Sequence, residues 1–235
     1  MKVGWSIYTD PEWADNSEWK DIVYLDPVPA WPHIMDARKD ADYIRCPAVS
    51  DSLKNTYIIR CPYDITISYD RHTDGFRTDS LGDEWLQKTF FPRFPIYKDG
   101  DIVSSCITLR IKYLFVSDDD LEMSVIDVPI ISTKLTRNIK IIPGTSNINK
   151  WLRPVDFTFE VQDLDVPLEL KRGDPLFAVR FETKKKINLE HIEMTEELQK
   201  ATQACVVSRN YVPNKTLKYR YEMAKRMLLG KKWLR

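Results

Sequence analysis

The stretch DIVSSCITLRIKYLFVSDDDLEMSVIDVPIIS (residues 101–132) decides the fold class, because it predicts one long strand, an acidic turn and a second strand. Its apolar positions are rich in β-branched and aromatic residues, which favour the pleated, half-buried surface of a sheet. The turn is supplied by Asp118-Asp119-Asp120, and an acidic triplet between strands is typical of a solvated turn rather than of a metal site. This region therefore predicts β structure rather than a regular alternation of strands and helices.

The segments on either side extend the β prediction. Residues 65–70 alternate apolar and polar side chains, and the turn residues that follow predict a hairpin with a return strand at 76–80. The segment VDFTFEV (155–161) alternates in the same way. Residues 168–181 predict two strands around a turn in which Gly173 can adopt a positive φ. We therefore expect a mainly β chain with an antiparallel β-sandwich or jelly-roll-like core.

The two ends of the chain differ from this pattern. The first 40 residues are rich in proline and contain four tryptophans, so they predict a segment that the prolines hold extended while its rings cover the core. After residue 187 the apolar residues recur at helical spacing, with Asn188 as the candidate N-cap. We expect a β-sandwich domain over residues 1–187, including the N-terminal wrap, and a C-terminal helical extension over 188–235 with one or two α-helices.

The last helix combines an apolar stripe with a strong positive charge. The chain has no net charge, but residues 213–235 carry eight basic residues against one acidic residue, which leaves the rest of the chain with a net charge of −7. Such a tail can bind nucleic acid, an acidic partner or the chain's own body. The stripe favours docking on the body or on a second subunit. The stripe consists of Leu217, Tyr221, Ala224 and Leu228, and the candidate binding cations are Lys218, Arg220, Lys225 and Arg226.

The cysteines and the apolar segments restrict the compartment. Four cysteines are spread over about 160 positions without a close pair, which disfavours a disulfide-rich secreted scaffold. The N-terminus lacks the apolar core of a signal peptide, and no apolar run reaches the length of a membrane span. We therefore expect a reducing, cytosol-like location and no membrane association.

The tripeptide Arg-Cys-Pro occurs twice, at residues 45–47 and 60–62. The two cysteines are fifteen positions apart and no histidine accompanies them, so a closed metal site is poorly supported. Each proline forces the residue before it into an extended conformation, which predicts two corners of the scaffold flanking a short helix. Arg45 and Arg60 would then present a pair of cations as a binding site beside an acidic body.

One local motif suggests catalysis. His72-Thr73-Asp74, together with His191, supplies the residue types of the facial triad of iron/2-oxoglutarate oxygenases, and Arg209 would anchor the co-substrate. Against this hypothesis, His72 is predicted in a turn and His191 on a helix-like segment. Residues 167–181 also resemble the end of dUTPase-like β-clip folds, although the nucleotide-site motifs are absent. Signature motifs for nucleophilic catalysis and phosphate binding are absent as well.

Residues 28–64 resemble the front of an uncharacterised family of tailed-phage, notably marine-phage, and bacterial proteins. The matching residues are Pro29-Ala30-Trp31, Met35-Asp36, Cys46-Pro47, Lys54-Asn55 and Pro62-Tyr63-Asp64, and residues 152–161 resemble the family further on. The basic C-terminal extension departs from the family pattern. The resemblance implies a phage or bacterial source and a location in the host cytoplasm or in association with the virion, but no activity.

Taken together, these features predict a non-enzymatic binding or structural module that engages a protein partner or associates with itself, without a cofactor. The alternatives are a β-scaffold enzyme, either an oxygenase or a dUTPase-like nucleotide enzyme, and a protein that binds nucleic acid through its basic C-terminal helix.

Overall fold

The computed structural model describes residues 1–8, 23–37, 46–73, 75–78, 93–98, 101–211, 215–228 and 232–234. Within these ranges, the side chains of residues 37, 93–98, 101–105, 209–211 and 225–228 are not described. Arg45 and Asp74, two of the candidate site residues, lie outside the described residues, as do Trp13 and Trp19 of the N-terminal segment. The side chains of Arg209, Lys225 and Arg226 also lie outside them.

The described residues form fourteen strands and five helices. The strands are β1 (Lys2–Ile7), β2 (Val28–Pro29), β3 (Thr56–Arg60), β4 (Ile65–Asp70), β5 (Gly75–Thr78), β6 (Arg93–Lys98), β7 (Asp101–Val116), β8 (Glu122–Ile126), β9 (Ile139–Ile141), β10 (Gly144–Asn147), β11 (Val155–Val161), β12 (Leu168–Leu170), β13 (Pro175–Phe181) and β14 (Asn188–His191). The helices are α1 (Ala30–Ala37), α2 (Pro47–Ser52), α3 (Lys134–Asn138), α4 (Glu196–Tyr211) and α5 (Leu217–Leu228).

The strands form three sheets. The first has the order β14-β1-β7-β11-β9, and β6 also pairs with the first half of β7. The second has the order β10-β8-β13-β3-β2, and the third has the order β12-β4-β5. All pairs are antiparallel except β1 with β14. The predicted hairpin is confirmed as β4 and β5, whereas the chain passes from one sheet to another between β7 and β8 and between β12 and β13.

The core lies between the sheets, as in a sandwich. Along β11, every second residue is buried, as its alternating sequence predicts. Phe157 of the first sheet stacks on Phe177 of the second, with 5.3 Å between the ring centroids. Phe115 meets Phe181 across the same interface, at 5.9 Å. Burying each such ring stabilises the fold by about 1.5–3 kcal/mol, so this aromatic layer is a main reason why the sheets face each other.

The outer face of the first sheet is covered by the C-terminal helices. Because side chains alternate along a strand, Leu114 and Val116 point away from the core that holds Tyr113 and Phe115. They pack instead in a second cluster with residues of α4 and α5. The molecule is therefore mainly β, with a helical layer on one side of its largest sheet, and the predicted fold class is confirmed.

The start of the C-terminal extension differs from the prediction. Asn188–His191 form strand β14, which pairs in parallel with β1, so the helix predicted behind Asn188 is wrong for these residues. Helix α4 begins eight residues later, where the Thr195 hydroxyl accepts a hydrogen bond from the Leu198 amide at 3.2 Å. Two acidic residues in the first turn favour this start, since they complement the positive end of the helix dipole.

The described part of the N-terminal segment covers the core, partly as a helix. Trp5 belongs to strand β1 and packs in the main core. Trp31 and Ile34 of α1 pack in a separate cluster with Leu53, Ile58 and Val128. We expected prolines to hold this segment extended, but Pro32 lies in the first turn of α1, where its missing N–H costs the helix no hydrogen bond.

Candidate partner-binding surface on the C-terminal helices

Helix α5 is attached to the body by part of its predicted apolar stripe. Ala224 is completely buried, and Tyr221 packs in the same cluster. The Tyr221 hydroxyl accepts a hydrogen bond of 2.9 Å from the backbone N–H of Asn147, at the end of β10. The Arg220 guanidinium lies 5.8 Å from the centre of the Trp151 ring, a cation–π contact. The prediction that Tyr221 packs inward is confirmed.

The residues after α5 bind the acidic turn between β7 and β8. The backbone N–H groups of Trp233 and Leu234 donate hydrogen bonds to the two carboxylate oxygens of Asp118, at 2.6 and 3.3 Å. Gly4 of β1 leaves room for this segment, because a Cβ atom at that position would lie only 2.7 Å from Leu234 Cδ2. The tail therefore docks on the acidic body, as expected, and at this turn the described contacts are donated by its backbone amides.

The rest of the acidic turn is also used for structure. Asp120 accepts hydrogen bonds from the side chain of Asn147 and from Lys150 Nζ, the latter at 2.6 Å. The Lys150 bond, followed by the Asn147 bond, lowers the pKa of the Asp120 carboxyl. In the part of the chain that the structure describes, no three His, Cys, Asp or Glu side chains are grouped so that they could hold a metal ion. The turn anchors the C-terminal segment.

The start of α5 carries exposed side chains that are both apolar and basic. We call Lys215, Leu217, Lys218 and Tyr219 the corner patch. Leu217 and Tyr219 are 50% and 41% exposed, which is high for large apolar side chains, and Val207 on the neighbouring α4 is 40% exposed. Lys215 Nζ lies 5.5 Å from the centre of the Tyr219 ring, so the patch is ordered by a contact of its own. The stripe prediction was wrong for Leu217, which lies at the first residue of the helix.

The four predicted binding cations near the C-terminus differ in their surroundings. Lys218 is exposed and belongs to the corner patch. Arg220 is half-buried, and its Nε donates to the carbonyl of Lys215 at 3.4 Å, so it supports the helix from the inside. Lys225 and Arg226 lie on the described backbone of α5.

The second Arg-Cys-Pro tripeptide is a buried corner. Cys61 is completely buried and its backbone exchanges hydrogen bonds with the 171–174 turn, at 2.8 Å to both Gly173 and Asp174. Burial raises the pKa of its thiol to about 11. Gly173 has a φ of 93°, as the turn prediction requires. The segment that resembles a β-clip fold thus closes over this corner.

Arg60 is half-buried, and its Nη2 donates to the backbone carbonyl of Asp26 at 3.2 Å. It holds the N-terminal segment against β3, so its placement does not support a pair of surface cations. At the first tripeptide, Cys46 has an extended backbone (ψ 122°) and Pro47 begins α2, as predicted from the proline.

The two histidines of the oxygenase hypothesis lie in different sheets. His72 is exposed in the β4–β5 turn, where its backbone N–H donates to Asp70. His191 is exposed on β14, and its ring lies 4.5 Å from that of Trp5. Among the described residues, neither histidine lies in a group of His, Cys, Asp or Glu side chains that could hold a metal ion.

One cleft in the structure was not predicted from the sequence. It has a volume of about 680 Å³ and lies between α3 and the loop after β11. Its wall carries Lys134 and Arg137 on one element and Asp163 and Glu169 on others, so charges of both signs surround it. The side-chain amide of Asn138 donates a hydrogen bond of 3.0 Å to the backbone carbonyl of Asp163. We find no nucleophile paired with a base there among the described residues, so the cleft suggests no reaction.

No protein-family model matches the chain, and no curated protein is significantly similar to it. None of the helices among the described residues combines the length and the apolar character needed to cross a bilayer.

Proposed function

We propose that this protein is a non-enzymatic binding module that engages a protein partner through the corner patch at the start of α5. The observation that carries the proposal is the exposure of Leu217 and Tyr219 at the start of a helix that Tyr221 holds on the body. Large apolar side chains that are exposed close together in the chain and flanked by charge are typical of protein interaction surfaces. The resemblance to phage proteins supports a role in the host cytoplasm or in association with the virion.

The charges of the patch define the partner's chemistry. Lys215 and Lys218 are both exposed, and neither forms an ion pair with a described residue. A fitting partner has an apolar depression for Leu217 and Tyr219 and acidic side chains around it. Helix α5 is attached to the body through Tyr221 and Ala224, so the patch is presented on a positioned element and little conformational entropy is lost on binding.

The patch can be tested with two matched double variants. Leu217→Asp combined with Tyr219→Asp places two carboxylates in the patch, where they would repel an acidic partner and remove the apolar anchors. Ile142→Asp combined with Val166→Asp makes the same chemical change at side chains that are 41% and 49% exposed elsewhere on the molecule. Both proteins are immobilised, incubated with lysate of the cells that naturally produce the chain, and compared with wild type after nuclease treatment.

We expect wild type and the Ile142/Val166 variant to retain the same protein, and the Leu217/Tyr219 variant to lose it by at least about tenfold, as for the loss of interface anchors. Far-UV circular dichroism checks that α5 still forms, which is expected because Asp is tolerated in the first turn of a helix. Equal retention by the two variants would refute the proposal. Loss of the captured protein from wild type after nuclease treatment would instead favour the second candidate, nucleic-acid binding by the cations of α5.

A further inference from the structure

A run of three lysines forms a second charged surface, away from the C-terminal helices. Lys184, Lys185 and Lys186 lie in the loop between β13 and β14, and all three side chains are exposed. None of the three forms an ion pair with a described residue. We call residues 183–187 the tri-lysine loop.

The backbone of the tri-lysine loop is held in place by a residue distant in sequence. Asn55 has a left-handed backbone (φ 56°), and its side-chain amide donates to the carbonyls of Thr183 and Lys185 at 2.8 and 2.9 Å. Its side-chain oxygen accepts from the Ile187 N–H at 3.0 Å. One asparagine therefore binds three positions of the loop, in a conformation that only Gly, Asn and Asp adopt readily.

Two further contacts restrain the same loop. The Lys185 N–H donates to the Thr183 hydroxyl at 3.2 Å, and the Lys186 carbonyl accepts from the nitrogen of Met1 at 2.8 Å. All these contacts use backbone groups of the loop or the side chains of Asn55 and Thr183. The three lysine side chains are thus left to solvent on a fixed backbone.

The neighbouring charges do not offset the three lysines. Arg180 pairs with Glu182 at 3.0 Å, and Lys2 of the adjacent β1 pairs with Glu190 at 2.8 Å. Glu122, whose carbonyl accepts from the Glu182 N–H, is a nearby residue whose carboxylate forms no ion pair with a described residue. Three positive charges against one negative charge leave a local excess of two positive charges on a chain whose net charge is zero.

The residue types of the loop point to phosphate groups. Lysine binds phosphates well as a compact point charge. Recognition of single-stranded nucleic acid normally adds aromatic side chains on which bases stack, and the tri-lysine loop contains none. A duplex keeps its bases stacked inside and presents only its phosphates to such a loop.

We infer that the tri-lysine loop binds the backbone phosphates of a double-stranded nucleic acid without sequence preference. This binding does not depend on the corner patch, so it would add to an engagement of a protein partner. With three phosphates contacted, the slope of log K against log salt is about −2.7, and affinity falls about 500-fold between 20 and 200 mM salt.

The test is fluorescence anisotropy of the full chain with a labelled DNA duplex of 20 base pairs, over that salt range. Replacing Lys184, Lys185 and Lys186 with alanine is expected to weaken binding at 20 mM salt by at least tenfold and to bring the salt slope close to zero. The control replaces Lys134, Lys140 and Lys171 with alanine. These three are also exposed and form no ion pair with a described residue, so the control changes the net charge equally.

A further variant separates the fixed backbone from the charge alone. Asn55→Gly retains the left-handed backbone and all three lysines but loses the side-chain hydrogen bonds, so affinity should fall several-fold at unchanged net charge. The inference is overturned if wild type does not bind the duplex at 20 mM salt, or if both triple variants bind equally. It is also overturned if single-stranded DNA or poly-glutamate binds wild type more tightly than the duplex does, since the first points to α5 and the second to an acidic protein.

Discussion

Replacing Tyr221 with Phe tests directly whether α5 docks on the body. The substitution removes one oxygen atom, and with it the acceptor for the backbone N–H of Asn147 at 2.9 Å. Asn147 is only 2% exposed, so water does not easily replace the lost acceptor. A buried backbone donor left without a partner costs about 1–3 kcal/mol. The ring itself is retained, so packing against Ala224 and its neighbours should change little.

The measurement is urea unfolding followed by tryptophan fluorescence, with Tyr219→Phe as the matched control. The Tyr219 hydroxyl forms no hydrogen bond with a described residue, and its side chain is 41% exposed, so the control should change stability by less than about 0.5 kcal/mol. With an m-value of about 2–3 kcal/mol/M, Tyr221→Phe should lower the unfolding midpoint by about 0.3–1.5 M urea. Equal midpoints for the two variants would show that α5 is not bound to the body through Tyr221.

Three further predictions concern the body. In the native protein at pH 8, a thiol reagent should label the exposed Cys46 but not Cys61, whose buried thiol has a pKa of about 11, and mass spectrometry should find Cys61 labelled only after unfolding. Because the folded-state pKa of Asp120 is lowered, the stability that its carboxylate contributes is present above about pH 4 and is lost as the pH falls through the folded pKa. Asp120→Asn should therefore reduce the acid dependence of unfolding. An unchanged pH profile would contradict the bond to Lys150. Asn55→Gly should lower the free energy of unfolding by about 1–3 kcal/mol, and hydrogen exchange should show faster exchange at residues 183–187 but not in β11.

Local patterns explain why much of the fold could be predicted. The alternation in β11 and in the β4–β5 hairpin reflects one buried and one wet face, and such a period needs no knowledge of distant partners. The inward position of Tyr221 followed from its spacing to Ala224 on a helix with cations elsewhere. These elements bury the face that their own sequence marks.

Elements that depend on distant partners could not be predicted. Strand β14 has four residues of mixed character and exists because it pairs with β1 at the other end of the chain. Its short sequence fits the beginning of a helix equally well. Arg60 was predicted to be a surface cation, but its guanidinium donates a hydrogen bond to a backbone carbonyl of the N-terminal segment.

The candidate sites likewise depend on features that local sequence patterns do not show. A helical stripe predicted that Leu217 would be buried, but the first residue of α5 extends past the surface that holds Tyr221, and this exposure creates the corner patch. Nothing in the local pattern around residues 184–186 marks the three lysines as a site. Their significance comes from Asn55, which lies 128 residues from Thr183 and fixes the loop.

The central claim is that the corner patch binds a protein, and site-specific photo-crosslinking tests it most directly. A photoreactive phenylalanine derivative replaces Tyr219 in one protein and Ile142 in another, since both positions are 41% exposed. Both proteins are produced in the cells that naturally contain the chain and are irradiated there. We predict a discrete, nuclease-resistant adduct larger than the 27.6 kDa chain from position 219 and none from position 142. The claim is contradicted by no adduct at position 219, by the same adduct from both positions, or by an adduct that nuclease removes.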